Sequence, residues 1–418
     1  MEEVARSMTA LLPELGRGVV LAVFAAVYVG MALGRWPGLK VDRSAIALIG
    51  AVLVVVFGGL PAERLTAAID WDTLVVLFGL MLVSAQFALS GAWDALAFRI
   101  AYLKLSEPAL LAVMMTAVAV LSAVLLNDVV AYVVPPVLIA AMARRGLDPR
   151  PFLIGLMMAA NIGSAASPIG NPQNILLASA GDLGFAAFLE ANALPAALAL
   201  AIAWIVIVQA WRGRWRAQTP VAGGREAAFH RRHAAKGLVA LVLLLLALAS
   251  PLPRPAAVML AAAFVLISRD IASRELFALV DWPLLILFAS LFLVTDAFAA
   301  LPVARGLAAA IAEHPAGAGG GAGLAALLVV GSNTVGNVPL VTLLLALIPP
   351  PSADWLTTVA LYATLAGNLL VTGSIANIIV IERAKAAGVV IGWGMHARVG
   401  VPATLVALAV AVVIAAVR

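Results

Sequence analysis

Long apolar runs recur along the whole of this chain with almost no charge inside them, so lipid has to be its main solvent. Runs long enough to cross roughly 30 Å of hydrocarbon lie at 18–34, 44–59, 73–90, 152–180 and 191–211, and after a polar linker again at 237–250, 256–268, 282–300, 355–381 and 399–417. A soluble domain keeps about a quarter of its residues charged to cover its surface. Here 11% of 418 residues are charged and 64% are hydrophobic, with a mean hydropathy of +1.10. The predicted fold class is an all-α polytopic membrane protein.

Two further apolar stretches, 109–143 and 323–349, are interrupted halfway by polar residues. They are expected to form re-entrant hairpins whose tips reach the middle of the membrane. The simpler alternative is two extra spans per stretch, for which each arm is short. Loop charges test the count, since a stretch that crossed only once would invert every loop after it. Arg35, Lys40 and Arg43 follow the first span, Arg144, Arg145 and Arg150 the first hairpin, and Arg383 and Lys385 the ninth span. Arg212, Arg214, Arg216, Arg225, Arg231, Arg232 and Lys236 fill the linker. With both termini outside, ten spans and two hairpins, all these clusters fall in the cytoplasm, as the positive-inside rule requires. The loops 182–190 and 349–354 then face outward and carry no Lys or Arg. The expected location is a bacterial inner membrane.

Composition also excludes several functions. The net charge is only +5, and no basic patch is interleaved with aromatics, so a nucleic-acid partner is not expected. Cysteine is absent, which removes disulfides, thiolate metal sites and cysteine nucleophiles. The four histidines, His230, His233, His314 and His396, lie in hydrophilic or interfacial stretches, which argues against a zinc site. No metal or cofactor is expected. Glu2 and Glu3 stand where a cleavable signal peptide would be basic, so the first apolar run is expected to remain as a span.

The chain repeats itself. Asp70-Trp71-Asp72-Thr73-Leu74 and its apolar continuation recur as Asp281-Trp282-Pro283-Leu284-Leu285, with Glu63-Arg64-Leu65 and Arg274-Glu275-Leu276 at the same offset upstream. Each copy continues into an amphipathic stretch (93–105 and 302–314), then a hairpin with a polar tip, Asn127-Asp128 or Ser332-Asn333-Thr334. A long span follows, broken by small and polar residues at Ala160-Asn161-Ile162-Gly163 and at Gly367-Asn368-Leu369. Each half holds five spans, an odd number, so the copies are expected to be inverted: a first repeat over 1–211, a basic cytoplasmic linker over 212–236 with Gly223-Gly224, and a second repeat over 237–418. Inverted repeats with paired broken helices place a substrate site at the bilayer midplane in secondary transporters.

The stretch from Ser164 to Asn174 holds two prolines and one glycine, which cannot continue a helix. In lipid, each backbone group freed by the break costs several kcal/mol unless protein, ion or water satisfies it. Freed carbonyls and Asn or Ser oxygens suit a small cation, and freed N–H groups suit an anion or oxyacid. The same logic applies at Val371-Thr372-Gly373-Ser374. Close helix packing through small residues is the competing explanation, but four such clusters in symmetric positions favour a shared site. The candidate binding residues are Asn127, Asp128, Asn161, Ser164, Ser167, Gly170, Asn171 and Asn174 in the first half. In the second they are Ser332, Asn333, Thr334, Asn337, Asn368, Thr372, Ser374 and Asn377.

Asp128 stands out, because a carboxyl deep in a membrane protein is a functional candidate by default. It is expected to exchange a proton during transport, against the alternative that it stays protonated and only hydrogen-bonds the opposite tip. Asp296, about 13 residues or roughly 20 Å into its span, is a second candidate for proton coupling. Asp70, Trp71, Asp281 and Trp282 are expected as helix caps and interfacial anchors.

Asn127-Asp128, the run from Ala160 to Asn174 with its Pro168-Ile169-Gly170-Asn171-Pro172-Gln173-Asn174 string, and Ser332-Asn333-Thr334 resemble the ion transporter superfamily. That group includes arsenite permeases, NhaD-type sodium/proton antiporters and divalent-anion/sodium symporters. The resemblance implies a scaffold part and a transport part of hairpins and broken helices moving as an elevator, and a homodimer formed through the scaffold. The symporters carry Ser-Asn-Thr at both tips, each beside a sodium. Here the first tip reads Asn127-Asp128, which is closer to the arsenite-permease branch.

Within the tips and breaks there is no Lys or Arg, so a multiply charged anion would lack a counter-charge and would face Asp128. The expected function is proton-coupled efflux of a small inorganic ion or oxyacid of the arsenite or antimonite type. Sodium/proton exchange is the alternative, and sodium-coupled uptake of a carboxylate or other anion is the third. No enzyme is expected, since intramembrane proteolysis needs a His/Ser or Asp/Asp pair on helices and none has that spacing. A channel would need a continuous polar lining, whereas polarity here is confined to the midplane.

Overall fold

The computed structural model describes residues 2–58, 62–216, 229–313, 321–348 and 352–417. His314, Pro349 and the Gly223-Gly224 part of the linker lie outside these described residues. The first half runs through α1 (Glu2–Leu33), α2 (Arg43–Phe57), α3 (Ala62–Ala68), α4 (Trp71–Leu89), α5 (Ala92–Ala101), α6 (Glu107–Val124), α7 (Asn127–Arg144), α8 (Pro149–Ala165), α9 (Pro172–Ala180) and α10 (Phe185–Ala210). The second runs through α11 (Arg231–Leu248), α12 (Arg254–Leu266), α13 (Ser273–Phe277), α14 (Trp282–Ala299), α15 (Pro302–Glu313), α16 (Ala322–Thr334), α17 (Asn337–Leu347), α18 (Ala353–Ala366), α19 (Ile375–Ala386) and α20 (Trp393–Val417). The order is the same in both, down to the short helices α3 and α13.

Local chemistry repeats as well. Asp70 caps α4 by accepting from the Thr73 N–H at 3.0 Å, and Asp281 caps α14 by accepting from the Leu284 N–H at 3.0 Å. Each neighbouring tryptophan turns back to a carbonyl five residues upstream, Trp71 to Thr66 and Trp282 to Phe277. The capping role expected for these residues is what the structure shows.

The halves interlock by exchange. Helix α2 packs on α14 while α12 packs on α4; α7 lies along α19 and α17 along α9; α10 runs beside α20. Burial concentrates where the halves meet. Every residue from Pro151 to Ala178 is buried, the polar ones included.

Helix lengths adjust two expectations. Helices α6 and α7 have 18 residues each, about 27 Å at 1.5 Å per residue, so the arms of the first hairpin are not too short to cross. The arms of the second, 13 and 11 residues, are. Among the described residues seven helices are long and apolar enough to span on their own. Helices α2 and α12, with 15 and 13 residues, fall short of the full spans expected at 44–59 and 256–268. The reason is local: Gly58 ends α2, and Ile267 leaves helical geometry just before the Ser268-Arg269-Asp270 turn.

Gly163 shows how tightly α8 is seated. A Cβ there would lie 2.2 Å from the Ala119 carbonyl oxygen and 2.4 Å from the Ala119 Cα on α6, and backbone cannot swing aside. Gly163→Ala is expected to destabilise the protein by about 1–3 kcal/mol, read as a lowered thermal unfolding midpoint in detergent. An unchanged midpoint would contradict the close approach of α6 and α8.

Candidate functional site

The two breaks are built alike. Helix α8 ends at Ala165 and α9 starts at Pro172; α18 ends at Ala366, a short 3-10 turn covers Val371–Gly373, and α19 starts at Ile375. In the first break the Asn174 Nδ2 donates to the carbonyls of Ser164 and Ser167, both at 3.0 Å. In the second the Asn377 Nδ2 donates to the carbonyls of Gly367 at 2.9 Å and Leu370 at 3.3 Å. Both asparagines thus reach carbonyls ten and seven residues upstream. They hold freed backbone groups that lipid could not satisfy. Their amide nitrogens are occupied by the fold, so these two residues shape the breaks.

Their oxygens face the opposite half. The Asn161 Nδ2 on α8 donates to the Asn377 Oδ1 at 3.1 Å and to the Asn368 Oδ1 at 2.9 Å, while its own Oδ1 accepts from the Ser374 Oγ at 2.9 Å. The mirror arrangement centres on Thr364 of α18. Its hydroxyl donates to the Asn174 Oδ1 at 3.3 Å and accepts from the Asn171 Nδ2 at 3.3 Å and the Gln173 Nε2 at 3.2 Å. Thr364 was not among the expected site residues. Between Ala363 and Leu365 a lone threonine carries no mark of its own, and only the superposed repeat positions would have paired it with Asn161.

Each tip docks on a break. The Asn127 N–H donates to the Gly170 carbonyl at 2.9 Å and its Nδ2 to the Asn161 Oδ1 at 3.3 Å. A Cβ on Gly170 would stand 2.7 Å from the Ser122 carbonyl oxygen, so only glycine admits this contact. At the other tip the Asn333 Nδ2 donates to the Val329 and Ala366 carbonyls at 2.9 and 3.0 Å, and its Oδ1 accepts from the Leu370 N–H at 3.2 Å. The Asn337 amide, oriented with its nitrogen toward them, donates to the Ser332 Oγ at 2.9 Å and to the Gly373 and Ala363 carbonyls at 3.2 Å. The Ser164 hydroxyl donates to the Asn161 carbonyl at 2.8 Å and accepts from Asn171 at 2.8 Å, and the Ser167 Oγ accepts from the Ile169 N–H at 3.2 Å.

The tips correspond differently from the sequence expectation. Asn127 opens α7 and Asn337 opens α17, whereas Ser332–Thr334 form the last turn of α16. Counting back the same five residues from Asn127 reaches Ser122, so Ser122-Ala123-Val124 stands where the second half has Ser332-Asn333-Thr334. The Ser122 hydroxyl is buried and has no partner among the described residues. The signal was the shared spacing of serine and asparagine, hidden by matching polar tips instead.

Two cavities meet at Asp128. A central one, of about 30 Å³, is lined by Asn127 and Asp128 of the first tip, Val335 to Pro339 of the second, Pro172 and Gln173 of the first break, and Thr372 to Ile375 of the second. That is room for a water-sized group. A second cavity, of about 230 Å³ and mostly apolar, runs from Asp128 past Tyr132 and Met81 to the loop 278–281, where Asp281 is exposed. Arg43 also lines the central cavity, and its Nε donates to the Met31 carbonyl at 3.1 Å. The expectation of a site without a cation is therefore corrected. Arg43 reads in the sequence with the loop charges after the first span, but as the first residue of α2 it also lines the central cavity.

Other expected residues lie apart. Thr334 is exposed and bonds back to the Val330 and Gly331 carbonyls. Asp296 is near the end of α14 and pairs with Arg64 at 2.9 Å, with 30% of its side chain exposed. A pair this exposed contributes little. Asp296→Asn is expected to lower stability by no more than about 1 kcal/mol and to leave flux within about twofold. A collapse of pH-driven flux in that variant would restore it to the site. His396, expected at an interface, is buried, and both its ring nitrogens lack partners among the described residues.

Residues 20–355 match the family model described as a citrate transporter. The inner membrane protein YbiR of Escherichia coli is 30% identical over 328 residues, 76% of this chain and 81% of that one. The silicon efflux transporter LSI3 of Oryza sativa is 36% identical over 180 residues, 43% of this chain but 35% of that one. Some curated relatives are thus matched over only 30–35% of their length, others over 96–97%. The solved YdaH transporter of Alcanivorax borkumensis has a similar fold, with a TM-score of 0.56 and 15% identity across 97% of this chain and 98% of that one.

Proposed function

The chain belongs to the citrate transporter family of the ion transporter superfamily, and from that premise we propose that it moves a small oxyacid against protons, past Asp128, between its two hairpin tips. It is a multi-pass membrane transporter and not an enzyme. The observation that carries the reading is the central cavity, where both tips and both breaks converge on Asp128. The cavity from Asp128 to the exposed Asp281 supplies a route for protons to the carboxyl. Tyr132 lines that route and carries Arg383 stacked at 4.3 Å, which under the positive-inside rule supports a cytoplasmic mouth.

The leading substrate class is an uncharged oxyacid such as arsenous acid, held by hydrogen bonds to its hydroxyls. The chain has no cysteine to bind arsenic through sulfur. The rice relative's name assigns it silicon, which in neutral water is also an uncharged hydroxy acid. One observation favours a second reading. Arg43 on the cavity wall offers a counter-charge to a carboxylate, as the family description would suggest. The matched order and exchanged packing of the two halves support inverted repeats over 1–211 and 237–418 joined by the linker 212–236. Docking of each tip on a mid-span break supports re-entrant hairpins moving with the broken helices as an elevator. A bacterial inner-membrane homodimer with both termini outside completes the proposal.

Proteoliposomes with an imposed pH gradient test it. Flux of arsenite, antimonite or silicic acid driven by the gradient is the expected result. Gradient-driven citrate flux that Arg43→Gln abolishes would replace the oxyacid with the anion, and sodium flux alone would make the protein a sodium/proton exchanger.

A further inference from the structure

Away from the transport site, three separate segments enclose a cavity of about 550 Å³: the α7–α8 loop, the end of α10 and the start of α20. Arg150, Arg214, Arg216 and Arg398 line it, and among the described residues Asp148 is its one carboxylate. Asp148 is already committed. It is buried, accepts from the Arg150 Nε at 2.9 Å and pairs with the Arg150 guanidinium at 2.8 Å. The guanidinium groups of Arg214, which also donates to the Ala210 carbonyl, Arg216 and Arg398 are left at the cavity, with no further acidic side chain among the described lining residues to answer them.

The backbone that carries Arg214 and Arg216 is held in place. The Asp148 N–H donates to the Trp215 carbonyl at 2.8 Å, and Leu147 forms an antiparallel bridge with Arg216. Trp215 is itself buried, edge-on to Phe152 at 6.0 Å. The segment that carries Arg214 and Arg216 is therefore anchored on the protein, unlike the loose basic tail that topology alone would need. Arg398 reaches the same space from the other half of the chain. A planar guanidinium offers paired N–H donors that match the oxygens of a phosphate group, and several from different segments surround one such group.

We propose that this cavity binds a phosphate group and so ties the α7–α8 loop and the end of α10 to the start of α20. The same chemistry is available from the phosphodiester of an anionic lipid in the cytoplasmic leaflet and from free phosphate.

Thermal unfolding of the purified full chain tests the proposal. It is measured in phosphatidylcholine nanodiscs with and without phosphatidylglycerol, and in detergent with and without inorganic phosphate. The wild type and an R231Q/R232Q control, which removes two exposed linker charges off the cavity, are expected to gain several degrees with phosphatidylglycerol. R216Q/R398Q is expected to gain nothing. Stabilisation by inorganic phosphate that R216Q/R398Q abolishes would identify free phosphate as the source and leave the site intact. No stabilisation of the wild type by either, or an equal gain in all three proteins, would overturn the proposal.

Discussion

Asp128→Asn is expected to abolish pH-driven transport while leaving the fold in place. The substitution keeps the shape of a side chain at the start of α7, and Asp128 has no hydrogen bond or ion pair to a described residue that the change would break. What it removes is the proton. A gradient can drive a carrier only through a group whose protonation differs between its loaded and unloaded forms, and Asp128 is the acidic side chain shared by the central cavity and the cavity leading to Asp281. Flux under a pH gradient should fall by at least about tenfold, equivalent to about 1.4 kcal/mol of barrier, with the thermal midpoint unchanged. Wild-type flux from the variant would remove Asp128 from coupling and leave it as a structural acid.

The second large effect is expected at Asn161, for the opposite reason. Asn161→Leu keeps the branched outline but strands four buried partners: the Asn368 and Asn377 oxygens, the Ser374 hydroxyl and the Asn127 amide. Each buried polar group left without a partner costs about 1–3 kcal/mol, so a loss on the order of 4 kcal/mol or more is expected, a large share of a folded protein's roughly 5–15 kcal/mol. Folded yield and thermal midpoint in detergent would register it. Asn161→Asp, which keeps the acceptor and loses the donor, should fall between. If Asn161→Leu unfolds at the wild-type temperature, the bonds joining the halves are not what holds the breaks together.

Much of this arrangement was legible in the residues themselves. Prolines and glycines marked the break after Ala165, and the duplicated Asp-Trp pairs marked the starts of α4 and α14, because capping and helix breaking are local chemistry. The capping of freed carbonyls by Asn174 and Asn377 was not legible as a role, though both residues were singled out. A ligand and a staple use the same amide, and only the partner atoms tell them apart. Thr364 and Arg43 escaped for a different reason. Each looks ordinary among its neighbours in the chain and matters only through what the other half brings beside it. Asp296 shows the reverse, since its depth along the sequence did not reveal the guanidinium of Arg64 next to it.

The absence of cysteine gives a direct test of whether the broken helices line a passage reached in turn from each side. Thr372→Cys places one thiol on the wall of the central cavity, beside Asn127 and Asp128. A membrane-impermeant thiol reagent should label it both in right-side-out and in inside-out vesicles, and the transported substrate should slow labelling from either face. Labelling from neither face, or from one face only whatever the substrate or pH, would contradict a carrier whose polar core is exposed to alternate sides of the membrane.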